Sequence, residues 1–171
     1  MFYFAYGSNL NKKRMLERGV IVNNIIPAKL FNYELKFNKV SKQGAVANIS
    51  PCENSVVEGV LYDVETLVLL DKYEGHPKHY TRVIMKIENV DAWVYIANSE
   101  YIKEGLRPEK EYLNHLLEGK EYLSESYYEN LKVNSQLLSL IVIQLLFLNP
   151  FMIYLSILLF FINFNIEVSL S

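Results

Sequence analysis

Apolar and polar positions along the chain divide it into short segments of alternating character. Met1 to Tyr6 is apolar or aromatic at every position, the pattern of a strand buried on both faces at the centre of a sheet. After Gly7, Asn11 is placed to cap a helix of about two turns through Arg14, Met15 and Leu16, with Gly19 as its stop. β-Branched and aromatic residues dominate Ile21 to Phe37, interrupted by Pro27 and Asn32, which predicts two strands or one strand entered through a turn. Gly44 to Ile49 and Val57 to Asp63 read as strands flanking a polar loop, Pro51 to Ser55. Gly59 marks a bulge or a close backbone approach.

Val64 to Tyr73 switches to helical spacing, and Gly75 and Pro77 stop that helix immediately after Glu74. Tyr80 to Ile87 and Ala92 to Ile96 are strands joined by a tight turn near Asn89 to Asp91. Pro108 suits the first turn of a helix through Tyr112, Leu113, Leu116 and Leu117, with Gly119 at its end. Ser126 and Glu129 have capping-box spacing for one more helix. About six strands and three or four short helices, with no repeated βαβ unit, predict an α+β domain. Its sheet should be mostly antiparallel and curled.

Composition changes this picture at one end. All 17 basic residues and all but one of the 19 acidic residues lie at or before Lys132, and no formal charge separates Lys132 from Glu167. The expected division is a globular domain over residues 1–133 and a hydrophobic C-terminal tail over 134–171. Within the tail, Leu137 to Phe164 is uncharged and interrupted by Gln144 and Asn149-Pro150. Its length exceeds the roughly 20 residues that cross a bilayer, so three readings stand: a membrane anchor, a helix packed on the domain, or an atypical terminus.

A net charge of −2 without a basic run argues against nucleic acid as a partner. Cys52 is the lone cysteine, which excludes an internal disulfide and a cysteine-based zinc cluster and fits a reducing compartment. Met1 leads straight into the first strand with no secretory signal pattern. Together these predict a cytoplasmic domain, with membrane anchoring left to the tail.

Two stretches carry candidate chemistry. In Tyr3 to Leu10 a strand runs into a glycine turn followed by Ser8 and Asn9, residues whose short donors and acceptors stand beside backbone N–H groups. The plainer alternative is a strand end whose Ser or Asn caps the next helix. In Leu70 to Arg82, Glu74 sits between an apolar helix and two breakers, a position that can hold one carboxylate at the mouth of a cavity. A carboxylate half removed from water is a better proton shuttle near neutral pH. Tyr80 is placed to orient it; alternatively Glu74 is a solvated helix end with Arg82 as a surface partner. Glu74, His76 and His79 form a weak metal set, because Pro77 breaks the segment and no fourth ligand is near. Ser8 lacks the surroundings of a serine nucleophile.

Together, Tyr-Gly-Ser-Asn-Leu at positions 6–10 and Leu-Asp-x-x-Glu-Gly-x-Pro-x-x-Tyr-x-Arg at 70–82 resemble the γ-glutamylcyclotransferase-like family, including its AIG2-like and γ-glutamylamine cyclotransferase branches. The resemblance extends over roughly Met1 to Val133. It implies a small mixed, mostly antiparallel β-barrel with flanking short helices and no metal or organic cofactor. It implies Glu74 as catalytic acid/base, and Tyr6, Gly7, Ser8, Asn9, Leu10, Tyr80 and Tyr112 as substrate-binding residues, Tyr112 by the loosest match. The implied reaction converts a γ-glutamyl amine or γ-glutamyl amino acid to 5-oxoproline and a free amine. The alternative is a non-catalytic module that binds a small molecule or partner in the same cavity. Neither the leaving group nor the oligomeric state follows from the residues.

Overall fold

The computed structural model describes residues 1–42 and 44–133; the Leu137 to Phe164 stretch lies outside the described residues. Five strands form one sheet: β1 (Phe2–Ala5), β2 (Val22–Ser41), β3 (Gly44–Val64), β4 (Tyr80–Ile87) and β5 (Val90–Ala97), in the order β2-β3-β1-β5-β4. Three helices flank it: α1 (Lys12–Glu17), α2 (Val68–Glu74) and α3 (Lys110–Leu117). Residues 125–133 are also helical. The unit that carries all these strands and the three flanking helices spans Met1–Lys132. Among the described residues, no helix is long and apolar enough to cross a membrane.

β1 is central, antiparallel to β3 through Phe2↔Asp63 to Ala5↔Val60 and parallel to β5 at Tyr3↔Trp93. Its unbroken apolar run has a direct cause, since both faces are covered. Tyr3 and Ala5 point into one core cluster with Met15, Tyr62 and Leu116, while Phe4 and Tyr6 point into another with Ile49, Val57 and Val94. Phe4, Leu10 and Tyr62 are completely enclosed. Each large apolar side chain removed from water contributes about 1.5–3 kcal/mol before conformational entropy is subtracted.

The segments predicted as separate strands fuse into one long hairpin. β2 and β3 pair antiparallel from Val22↔Val64 to Ser41↔Gly44, with register shifts at Val22/Asn24, Phe31/Tyr33 and Lys36/Lys39. The expected loop Pro51 to Ser55 is absorbed into β3 as an irregularity opposite Asn32. Asn32 and Asn54 take positive φ there (61° and 62°), and the Asn54 N–H donates to Asn32 Oδ1 at 3.2 Å. Pro27 is tolerated because β2 is an edge strand with one hydrogen-bonded neighbour. Gly59 is a site of close approach. A Cβ there would lie 2.4 Å from the Ala5 carbonyl oxygen and 2.8 Å from the Phe4 ring.

The expected barrel does not form, because β2 and β4 remain the two edges of an open sheet. Side chains link β3 to the far side of the sheet. The Tyr80 hydroxyl donates to the Ala47 carbonyl at 2.6 Å, and the Ala97 N–H donates to Asn48 Oδ1 at 3.0 Å. These bonds satisfy backbone groups of β3 and β5 through side chains, and Ala47 and Tyr80 also line the site.

Helix ends mostly follow their sequence signals. Asn11 caps α1, its side chain accepting from the Arg14 N–H at 3.1 Å. Gly75 ends α2 in the left-handed region at φ 66°, its N–H bonded to the Asp71 carbonyl. α3 begins two residues after Pro108, with Glu109 as its N-cap. The last cap lies at Ser124 rather than Ser126: Ser124 Oγ accepts from the Tyr127 N–H at 3.3 Å. Ser124 also donates its N–H and hydroxyl to the buried Glu58 at 2.6 and 2.8 Å, tying this helix start to β3.

Candidate active site

β1 delivers the chain into Gly7, and a 3₁₀ turn over Ser8–Leu10 then turns Asn9 inward, where it is 3% exposed. α2 delivers Glu74 at its last residue, directly before Gly75. The two meet: Asn9 Nδ2 donates to Glu74 Oε1 at 3.0 Å and to the Tyr3 hydroxyl at 2.8 Å. Arg18 Nη1 donates to Asn9 Oδ1 at 2.7 Å and lies 3.4 Å from Glu74 Oε1. The Tyr62 hydroxyl donates to the Asn9 carbonyl at 2.8 Å. Arg18 therefore sets which way the Asn9 amide faces, and its NH2 group is aimed at the carboxylate. Both contacts of Glu74 fall on Oε1. Among the described residues Oε2 has no hydrogen-bond partner.

Tyrosines build the walls. Tyr3, Tyr6, Tyr80, Tyr95 and Tyr112 line an inner cavity of about 30 Å³ together with Gly7, Ser8, Asn9, Ala47 and Glu74. The hydroxyls of Tyr6, Tyr80 and Tyr112 are held by backbone. Tyr6 donates to the Tyr95 carbonyl at 2.5 Å, and Tyr112 accepts from the Ala47 N–H at 2.9 Å. Tyr80 does not orient Glu74, as its hydroxyl is spent on Ala47. The cavity opens into a cleft of about 300 Å³ that shares Ser8, Glu74, Tyr80 and Tyr112 with it and adds Arg14, Arg18 and Lys39.

Gly7 is required for a different reason than its turn position implies. Its φ of −112° is open to any residue. A Cβ there would stand 3.0 Å from Ala47 Cβ and 3.1 Å from the Tyr112 hydroxyl, so the glycine lets the loop lie against the cavity wall.

Burial raises the Glu74 carboxyl above its ordinary range, opposed by the Arg18 charge, the Asn9 and Arg18 hydrogen bonds and the charge of Lys39. Its side chain keeps 18% of its surface, enough to meet a ligand. Burial also raises Tyr112 to about 12, against hydrogen bonds from Ala47 and Ser8, so it stays a neutral phenol. Among the described residues no group of three or more His, Cys, Asp or Glu side chains is placed to hold a metal ion.

Tyr6, Gly7, Ser8, Asn9, Glu74, Tyr80 and Tyr112, singled out in the sequence, thus share one cavity. Leu10 does not line it; fully enclosed, it anchors the turn in the core. Arg82 is not the partner of Glu74. It pairs with Asp71 at 2.6 Å, and Asp71 accepts from the Tyr95 hydroxyl at 2.7 Å. Sequence reasoning missed Arg18, Tyr3, Tyr95 and Lys39. Arg14 and Arg18 stand four residues apart, a spacing that puts both on one face of α1, and this was the one available signal.

Comparison with known proteins agrees with the geometry. The family model described as gamma-glutamyl cyclotransferase, AIG2-like, matches residues 3–122. Among solved structures, the human protein loc79017 is 26% identical, with a TM-score of 0.66 over 77% of this chain and 85% of its own. A structure titled gamma-glutamyl cyclotransferase is also 26% identical, with a TM-score of 0.66 over 77% and 86%. A yeast gamma-glutamyl cyclotransferase specific to glutathione, 13% identical with a TM-score of 0.58 over 80% and 95%, shares the fold. A search of curated proteins finds no match. With a family match over most of its length and this site at the meeting of its two motifs, the chain belongs to the AIG2-like γ-glutamyl cyclotransferase family.

Proposed function

We propose that the protein is a γ-glutamylcyclotransferase-type lyase. It cyclises a γ-glutamyl amine or γ-glutamyl amino acid to 5-oxoproline and releases the amine, with Glu74 as general acid/base. The observation that carries this reading is the Glu74 carboxylate, enclosed in the tyrosine-lined cavity with Oε1 held by Asn9 and Oε2 left for a ligand.

The substrate supplies its own nucleophile. Its α-amino nitrogen attacks its γ-carbonyl carbon, a new C–N bond closes the five-membered lactam, and the original amide C–N bond breaks. Of the three hydrogens on the starting ammonium, one stays on the lactam nitrogen and two finish on the departing amine. Glu74 takes each in turn and passes it across. Because burial lifts its pKa, it both accepts and returns a proton more readily near neutral pH than an exposed carboxylate does. The loop at Gly7, Ser8 and Asn9 holds the glutamyl α-carboxylate. Tyr6, Tyr80 and Tyr112, fixed through their hydroxyls, keep the γ-glutamyl chain curled, an orientation effect comparable in size to the proton transfer.

The test is Glu74→Gln with a panel of γ-glutamyl amides and 5-oxoproline as the readout. Turnover should fall by at least ~10²-fold with KM little changed. Retention of more than about a tenth of the wild-type rate removes Glu74 from this role.

A further inference from the structure

One buried cation beside Glu74 has no part in the reaction described above. Lys39, near the end of β2, is 7% exposed. Its Nζ faces the rings of Tyr80 at 5.3 Å and Tyr101 at 5.9 Å, and among the described residues it has neither an ion-pair partner nor a hydrogen-bond acceptor. Ring faces stabilise an ammonium only in part, and a carboxylate partner does so more strongly. Glu74 is near enough to act on Lys39 through charge, yet it is committed to Asn9 and Arg18.

Lys39 lines the outer cleft and not the inner cavity. Arg14, on the same cleft, is also short of partners among the described residues: Nη1 meets His115 Nε2 at 3.1 Å, and Nε is buried with none. Counting Arg18 and Lys72, four cationic side chains and one carboxylate face the cleft. His79 adds no compensating anion. A γ-glutamyl group reaching Glu74 where the inner cavity and the cleft share Ser8, Glu74, Tyr80 and Tyr112 leaves its departing amine in the cleft that Lys39 lines.

Building on the cyclotransferase reading, we propose that the departing amine is an α-amino acid or a peptide, whose carboxylate is bound by Lys39. Lys39 is then the residue that sets leaving-group specificity. A neutral amine leaves its ammonium unpaired, and an amine carrying a second ammonium is repelled by it.

Binding is measured by calorimetry on the full chain carrying Glu74→Gln, so that the readout does not depend on turnover. The ligands are γ-glutamyl-alanine and γ-glutamyl-alaninamide, which differ only in the terminal carboxylate. The alanine compound should bind about tenfold tighter or more, as expected for one charge-assisted hydrogen bond. Adding Lys39→Met should erase that preference, weakening the alanine compound about tenfold while the amide changes less than about threefold. Lys39→Arg should keep it. Unchanged binding of the amide also reports that the Met variant is folded. Equal binding of the two ligands, an equal loss of both in Lys39→Met, or binding of neither overturns the proposal. The reaction itself is read separately, as 5-oxoproline released by the wild-type chain. Carboxylate preference without product would leave the Lys39 site standing and remove the cyclotransferase reading.

Discussion

Glu74 and Arg18 show how one residue sets the working range of another. In the proposed acid/base role Glu74 must be ionised to accept a proton, so turnover should fall as the pH drops through its pKa in the folded chain. Burial places that pKa above the ordinary carboxylate value, and Arg18 is the strongest influence holding it down. Arg18→Met removes both that charge and the bond that orients Asn9. The acid limb of the kcat profile should therefore move to higher pH, with lower turnover at neutral pH. A pH–rate profile of the two proteins on one substrate checks this, since titration of the substrate amine is common to both. An unmoved limb would mean that Glu74 does not titrate in the rate-limiting step.

At the scale of elements, the site depends on where α2 ends and how closely β1 and β3 approach. Gly75 takes a left-handed conformation, and a Cβ there would also stand 2.7 Å from His79 Cδ2. Gly75→Ala should cost about 1–2 kcal/mol of stability and lower kcat, because the residue displaced first is Glu74. Gly59→Ala places a methyl against the Ala5 carbonyl and the Phe4 ring, and should cost about 3 kcal/mol, the upper end for overpacking. Urea denaturation reads both, and kinetics separates them: per folded molecule, Gly75→Ala loses more activity. The pairing of Asp71 with Arg82 and Tyr95 braces the same helix against β4 and β5.

Across the whole molecule, the family match and the candidate site all fall within residues 1–132. A chain ended at Lys132 should therefore fold and keep kcat/KM within about threefold of the full chain, measured by 5-oxoproline release. An anchoring role for 137–164 predicts that the full chain sediments with membranes and the shortened one does not. Equal solubility of the two without detergent or lipid would remove that role.

Local signals were enough for the central strand and the caps at Asn11 and Gly75; they left Gly59 open between a bulge and a close approach, and the Tyr6–Leu10 loop was joined to Glu74 only through the family resemblance of the two motifs. Each depends on residues adjacent in the chain or on a motif whose parts keep a fixed order. The fusion of Ile21 to Phe37, Gly44 to Ile49 and Val57 to Asp63 into one long hairpin was not legible. Pro27, Asn32 and Pro51 look like breaks, and only an edge position and a register irregularity let the ladder pass through them. The open sheet is likewise a tertiary outcome, since β2 and β4 stay unpaired with each other as its two edges. By itself, the sequence determined two motifs, at 6–10 and 70–82, whose resemblance to the family pointed to one site. Only the tertiary structure decided that Arg18 rather than Arg82 stands beside Glu74, and that Lys39, among the described residues, has no ion-pair partner. Charge pairing over 56 residues and the placing of Lys39 against the rings of Tyr80 and Tyr101 depend on how distant segments pack, and no local pattern encodes that.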